Sequence, residues 1–599
     1  MTTAVAPAAT STVHKGGSWL TEALRAGDIF TPEMFSEEQR LMGRTADEFM
    51  AAEVYPNIER FEQKDWDLLR QTVRKCADLG LLGADVPESL GGVDLDNVSS
   101  LHLSERLGPN SSFATTFAVQ VNLATLPLLM FGTDEQKRRY VPRLVTGEII
   151  GAYALSESGA GSDALGSKAR AVRQPDGSFV LSGEKMWISN GGFADMIIVF
   201  AKVDGEHFTA FIVDRAFPGV ASGKEEHKLG LHGSSTTSIL LQDVPVPAAN
   251  LLGEIGKGHK IAFNVLNFGR LKLGAMCTGG GTVVVGRAAR YAAARRQFGQ
   301  AIASFGAIKH KLGEMTARLY AAESALYRTA GLMDGFIEAR RTSLEDPAAL
   351  VAVGEEYAVE ASILKVAGSE MVDFLIDEEI QVHGGNGYVR DYPAERSYRD
   401  ARVNRIFEGT NEINRMLATG MILRKALKGE LPLFAAAKRV GDELMSLPSF
   451  AEPAPPEFLD AEAALVTAMK KTILAALGLA AQKHGDTLKD HQEILSDTAD
   501  MIMEAYACES ALLRVRKRAA RDGEPAAAGM ADLLTLYAHD AIDRVAIWGQ
   551  QVLAMTSEGD ELRTALAGLR RLTKHDPVDR AKLHDAIAAR LLEAGGYAV

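Results

Sequence analysis

The chain has 599 residues, too many for one hydrophobic core, and its 47 % hydrophobic and 24 % charged content is that of a folded multi-domain protein. The formal net charge of −13 excludes a general nucleic-acid binder, because no broad basic face is left for phosphates. The three cysteines, Cys76, Cys277 and Cys508, are far apart and form no CxxC pair, so neither a disulfide framework nor a metal site is expected.

Residues 1–29 read as a disordered or extended segment. The opening "MTTAVAPAATSTVHKGG" has no basic n-region, no Leu-rich core and no arginine, so secretory and mitochondrial targeting are not expected and the chain reads as cytoplasmic. No apolar run approaches the ~18 residues of a membrane span. From 30 to 150 the pattern is helical: "SEEQRLMGRTADEFMAAEV" spaces Leu41, Met42, Phe49 and Met50 along one face. After the turn "VPESLGGVDLD", the run "SSFATTFAVQVNLATLPLLMFG" is small and apolar nearly all round, as in a helix buried on several sides or lining a cavity.

Residues 151–257 change texture. "FVLSGEKMWISNG", "DMIIVFAKV", "HFTAFIVD" and "TTSILLQDVPVP" are short β-branched and aromatic runs between Gly, Asp and Asn breaks, predicting a β domain, a sandwich or barrel. Helical texture returns over 258–430. The long segments "IKHKLGEMTARLYAAESALYRTAGLM" and "AVEASILKVAGSEMVDFLIDEEIQVHGG" predict a bundle. Residues 431–457 read as a linker that ends in the Pro-rich "PSFAEPAPPE". From 458 to 599 a further helical domain is expected, with Leu465, Met469, Ile473, Leu477 and Ala480 at helical spacing. The fold class is α+β, mainly helical.

Four segments exceed packing needs. In "YALSESGAGSD" (153–163), Gly159 and Gly161 let a backbone approach a ligand, and Ser156, Ser158 and Ser162 offer hydroxyls. A plain turn explains it as well, and it lacks the GxGxxG of a dinucleotide fold. In "KMWISNGG" (185–192), Trp187 is either a core residue before a turn or an indole laid on a flat ring. In "ARRQFG" (294–299), paired arginines suit a pyrophosphate or a solvated helix end. The fourth, "QVHGGNGYVRDYPAERSYRDARVNRIFEGTNEINR" (381–415), carries three glycines and, twenty residues on, Glu408 behind Ile406 and Phe407. A carboxylate there points to solvent, or it is a base in a dry cleft.

In this order and spacing the four segments resemble the acyl-CoA dehydrogenase family over residues 35–430. The helices beyond the Pro-rich stretch resemble the extra domain of its very-long-chain branch. The resemblance implies an N-terminal helical domain, a middle β domain and a C-terminal four-helix bundle, with FAD bound between the last two.

The resemblance also implies roles. Tyr153, Leu155, the Ser156 hydroxyl and Gly161 would contact the flavin, with Ser162 reaching both cofactor and the CoA portion. Trp187, Ile188 and Ser189 would cover the ring. Arg295, Gln297 and Phe298, with Gln381, Gly384 and Gly385, would reach the FAD of a neighbouring subunit. Thr410 and Glu412 would lie near FAD. Asn267, Arg270, Phe407 and Gly409 would line the acyl-CoA site. Glu408 would remove the α-proton of the thioester while the β-hydrogen leaves as hydride to the flavin. Some branches carry the base just before the arginine matching Arg270; here that residue is Gly269. Thr115 and Val119 stand near the end of the acyl tunnel, where small or apolar residues imply long chains.

The implied activity is FAD-dependent conversion of long- or very-long-chain acyl-CoA to trans-2-enoyl-CoA in fatty acid β-oxidation. Electrons would pass to electron-transfer flavoprotein, and the enzyme would be a homodimer. The rival readings are an acyl-CoA oxidase and a non-catalytic assembly protein on the same fold. "LPLFAAAKRVGDELMSL" reads as a packed helix or as a peripheral contact with a membrane surface.

Overall fold

The computed structural model describes residues 13–340, 346–446 and 458–599. Helices α1 (Glu37–Phe49), α2 (Ile58–Glu62), α3 (Trp66–Asp78), α4 (Asn97–Leu107), α5 (Ser111–Ala118), α6 (Leu126–Phe131) and α7 (Asp134–Val145) form the first domain. Ser36 and Thr133 open α1 and α7 with reciprocal capping boxes, satisfying N–H groups that helix starts leave free. The buried face of α1 is Gly43, Ala46 and Phe49, followed by Met50. Leu41, expected on that face, is exposed, because small residues let α1 pack closely on α4 at His102.

The residues before α1 differ from expectation. From Val13 onward they are no loose tail: Trp19, Leu20, Leu24 and Ile29 are buried, and the Gly16 and Gly17 N–H groups bond Glu356 (3.1 Å) and Glu360 (2.7 Å). Composition hid this, because the anchors are isolated apolar residues in a polar stretch.

The β domain contains β1 (Gly151–Ala154), β2 (Arg170–Arg173), β3 (Phe179–Ser189), β4 (Met196–Val203), β5 (His207–Asp214), β6 (Val220–Ser222), β7 (Thr236–Val246) and β8 (Leu251–Leu252). They make one eight-stranded sheet ordered β6-β7-β3-β2-β4-β5-β8, with β1 parallel to β4. The path does not close, so the expected sandwich or barrel is a single forked sheet. Alternate residues such as Leu181, Ile197, Val199, Phe211 and Val244 share its core.

Then come α8 (Gly258–Ala294), a hairpin of β9 (Arg296–Gln297) and β10 (Gln300–Ala301), α9 (Gly306–Ala339), α10 (Pro347–Glu356), α11 (Ala358–His383), α12 (Pro393–Ala401) and α13 (Asn411–Leu427). Helices α8, α9, α11 and α13 are the bundle.

The stretch expected as linker begins instead with α14 (Leu433–Met445), whose Leu433, Ala436 and Val440 are buried; it packs on α15 (Asp460–His484). One apolar face of this segment is thus used inside the protein, while Phe434 and Met445 remain exposed. The Pro-rich 448–457 lies outside the described residues. The appended domain continues with α16 (Gln492–Asp522), α17 (Glu524–Thr556), α18 (Gly559–Thr573) and α19 (Arg580–Ala594), and Leu465, Met469, Ile473, Leu477 and Ala480 are all buried, as their spacing predicts. Among the described residues, two helical runs, Ser111–Phe131 and Asp460–Asp490, are long and apolar enough to cross a membrane, against expectation; their most apolar windows are 83 % and 50 % buried within the protein.

Candidate active site

A cavity of about 1500 Å³ opens between α5, the β domain and the bundle. A single drug-sized ligand needs about 300–1,000 Å³, so there is room for more than one. Of the residues singled out in the sequence, Tyr153, Leu155, Ser156, Gly161, Ser162, Trp187, Ile188, Ser189, Asn267, Arg270, Phe407, Glu408, Gly409 and Thr410 line it.

Glu408 stands on the loop between α12 and α13. Its φ is +58° and that of Gly409 is +81°. Two consecutive left-handed residues turn the carboxylate inward; glycine takes this shape freely, while Glu408 bears strain of about 1–3 kcal/mol. The loop is clamped at its carbonyls. Arg270 Nε donates to the Glu408 carbonyl (3.2 Å), and Asn414 Nδ2 donates to those of Glu408 (3.3 Å), Gly409 (2.8 Å) and Thr410 (3.1 Å). Thr410 caps α13 by accepting from Ile413 N–H (3.3 Å).

The carboxylate lies over Gly269 on α8, and its Oε2 is enclosed with no hydrogen-bond partner among the described residues. Half-buried by surface area because it borders the open cavity, the side chain is walled by protein on its other sides. Burial pushes its pKa up to about 7, against the pull of the Arg270 and Lys365 cations. Burial in turn lowers Arg270 to about 10 and Lys365 to about 8. Ile406, expected to dry the carboxylate, is 52 % exposed on the cavity wall. The dry setting comes from α8 and Tyr153, whose hydroxyl is enclosed without a hydrogen-bond partner among the described residues and is pushed up by burial and by Glu408.

The opposite wall is built by β3. A register slip between Lys185 and Ile188 is a β-bulge, and Trp187 there has φ +57°. Ile188 stays in the core while the indole is thrown outward, 57 % exposed, beside Ser189. A large aromatic held in a strained, exposed pose fits a planar ligand better than it fits packing. The neighbouring loop is pinned by Lys185, fully buried, whose Nζ donates to Glu157 Oε1 (2.7 Å) and the Leu155 carbonyl (3.1 Å). Glu157 also accepts from the N–H groups of Lys168 and Ala169. A Cβ at Gly159 or Gly161 would meet nothing within 4 Å, so this loop presents an open cradle of backbone. Indole, cradle and orphaned hydroxyl fit an isoalloxazine and its ribityl chain.

The α5 side of the cavity is lined by Ala114, Thr115, Ala118, Val119, Asn122 and Leu123. Here the helix widens into a π-turn over Val119–Ala124, a feature that often marks ligand sites.

A second group lies elsewhere. Arg295, Gln297 and Phe298 are exposed on the β9–β10 hairpin, Phe298 by 93 % at φ +52°. Gln381, Gly384 and Gly385 are exposed at the end of α11. The two ends meet: Tyr291 stacks on His383 at 4.0 Å, and its hydroxyl contacts the His383 carbonyl and Asn386. None of these six residues lines the cavity, nor does Glu412, exposed in the first turn of α13.

Sequence reasoning missed Lys185, Glu157, Lys365 and Asn414. A lysine or asparagine in an apolar helix or strand was the available signal; nothing marked their partners. It also missed a path from the loop to the appended domain. Lys365 Nζ donates to Asn411 Oδ1, Asn411 Nδ2 donates to Glu370 (2.9 Å), and Arg415 grips Glu370 through two nitrogens (2.7 and 2.8 Å) and Asp500 of α16 (2.9 Å).

Family profiles match in the same order: "Acyl-CoA dehydrogenase, N-terminal domain" over 36–148, "middle domain" over 152–244, and two "C-terminal domain" profiles over 256–422 and 468–571. A solved acyl-CoA dehydrogenase complexed with FAD from Bacillus anthracis superposes with a TM-score of 0.95 at 44 % identity, covering 98 % of this chain and all of that one. A probable acyl-CoA dehydrogenase of Bacillus subtilis is 44 % identical over 589 residues, 98 % of this chain and 99 % of its own. The human very long-chain specific acyl-CoA dehydrogenase is 36 % identical over 370 residues, 60 % of this chain and 53 % of its own.

Proposed function

The chain belongs to the acyl-CoA dehydrogenase family and is a FAD-dependent flavoprotein oxidoreductase, and from that premise we propose that it oxidises long-chain acyl-CoA to trans-2-enoyl-CoA and delivers the electrons to an electron-transfer flavoprotein. The observation that carries the long-chain reading is the lining of the acyl end. Ala114, Thr115, Ala118 and Val119 put no long side chain across it, and the cavity is large.

The residues divide the work as follows. The Tyr153–Ser162 loop and Trp187–Ser189 would hold FAD, which when bound would supply the acceptor for the hydride that leaves the β-carbon. Glu408 takes the α-proton on its enclosed carboxylate, whose pKa near 7 matches a base working at neutral pH. Arg270 and Asn414 hold the loop so that the carboxylate keeps its position, and Gly409 lets a substrate lie against the backbone. Asn267, whose Oδ1 accepts from Arg270 (3.0 Å), stands at the cavity wall beside it.

The same reading makes the enzyme a cytoplasmic homodimer. Three buried, unpaired cysteines suit a reducing compartment. The exposed face of Arg295, Phe298 and Gly384 suits a second copy. Anaerobic titration with palmitoyl-CoA and with butyryl-CoA, followed by flavin absorbance, tests substrate length. Bleaching by palmitoyl-CoA alone supports the reading, and equal bleaching by butyryl-CoA sinks it. Fast turnover with oxygen as the only acceptor would instead make it an oxidase.

A further inference from the structure

At the seam between the bundle and the appended domain, far along the chain from the catalytic loop, α9 places His310 and Glu314 one turn apart and α19 brings His584 against them. The His584 and Glu314 side chains are only 7 % and 9 % exposed, while His310 is open to solvent. A Cβ at Gly313 would stand 2.7 Å from His584 Cδ2, so a glycine is what lets the ring approach α9.

The two Nδ1 atoms face each other at 3.4 Å, with the rings nearly perpendicular at 87°. That is long for a nitrogen hydrogen bond, which prefers about 2.9–3.0 Å. It is the separation of two nitrogens on one tetrahedral zinc: Zn–N bonds of about 2.0–2.1 Å place them about 3.3–3.4 Å apart.

On its far side, His584 Nε2 lies 3.1 Å from Glu314 Oε1. A carboxylate there fixes the proton on Nε2 and leaves Nδ1 as a lone pair aimed at His310, the way carboxylates orient metal-binding imidazoles. Arg318 comes no closer than 3.9 Å to Glu314, and Lys309 is engaged by Asp585 (3.1 Å). Asp540 on α17 lies next to Glu314 and is itself paired with Arg580 (2.5 Å).

We infer that His310 and His584 bind one divalent transition-metal ion of the zinc class through their Nδ1 atoms. Glu314 orients His584 and water completes the shell. The ion staples α19 to α9 and plays no part in the chemistry of the cavity.

The test uses tag-free, full-length holoenzyme stripped with chelator, exposed to zinc and passed through gel filtration. Zinc is then counted by atomic absorption, since flavin absorption masks the visible bands of cobalt. About one zinc per chain is expected for the wild type and none above background for His310→Ala, a surface change that leaves the fold intact. Glu314→Gln should weaken binding by about 10–100-fold. Zinc should raise Tm in the wild type and not in His310→Ala, with acyl-CoA turnover the same in both. Equal zinc in the two proteins, zinc in neither, or an equal rise in Tm overturns the inference.

Discussion

A Cβ on Gly269 would stand 2.6 Å from Glu408 Oε2 and 2.9 Å from its Cδ, so the carboxylate occupies the space that any side chain at 269 would take. One position carries the base and the other must be empty for it. Gly269→Ala should therefore displace a flexible carboxylate end rather than the backbone. The expected result is a ~100-fold fall in turnover, as for a misplaced reacting group, with FAD content and Tm almost unchanged. A variant with wild-type turnover would show that Glu408 has another pose.

The second prediction concerns pH. Glu408 acts as a base only when ionised, so kcat/KM should rise with pH through about 7. Lys365 and Arg270 both favour the ionised form, so Lys365→Met should move that rise to higher pH. Stability runs the other way. The folded pKa lies above the ordinary 4.5, so the favourable burial of the neutral acid is complete below pH 4.5 and is lost as pH climbs through about 7. Glu408→Gln should thus melt higher than wild type at pH 8 and not at pH 4.5. The upper bound is about 3 kcal/mol, reduced because the group borders the open cavity. The same variant should keep FAD and lose nearly all turnover.

The domain order and the cavity-lining motifs were legible because each rests on local pattern: helical spacing in α15, β-branched runs in β4 and β5, and glycines beside serines at 159–162. What stayed hidden depends on groups far apart in the chain. Glu408 is dried by Gly269 and Tyr153, not by its neighbour Ile406. The left-handed φ of Trp187 and Glu408 leaves no mark on composition. The N-terminal strap is held by Glu356 and Glu360, more than three hundred residues away.

The third prediction tests substrate length. Ala118 ends α5 and faces the cavity. Ala118→Phe should fill the acyl end, cutting kcat/KM for palmitoyl-CoA at least ~10-fold relative to butyryl-CoA, since filling a pocket is worth about 1–3 kcal/mol of discrimination. An unchanged ratio would place the acyl chain elsewhere.

The fourth prediction concerns what the appended domain does for the catalytic loop. Arg415 sits on α13, seven residues after Glu408, and joins Glu370 of α11 to Asp500 of α16. Both acids hold its guanidinium well above the usual range, while burial pushes the Asp500 carboxyl up to about 6 despite Arg415. Glu370 also takes the Asn411 amide, and Asn411 in turn accepts from Lys365. Removing the arginine leaves the Asp500 carboxylate, 15 % exposed, without its cation and Glu370 with the Asn411 amide, which costs up to about 3–5 kcal/mol. Arg415→Ala should lower Tm and also lower kcat, since the loop loses its support on both sides. Asp500→Asn keeps a hydrogen-bond acceptor and leaves Arg415 its bidentate pair with Glu370. It should therefore melt close to wild type, and any loss of kcat it shows isolates the contribution of the appended domain. Wild-type kcat in Arg415→Ala, measured on the folded fraction, would show that the loop is held by Arg270 and Asn414 alone.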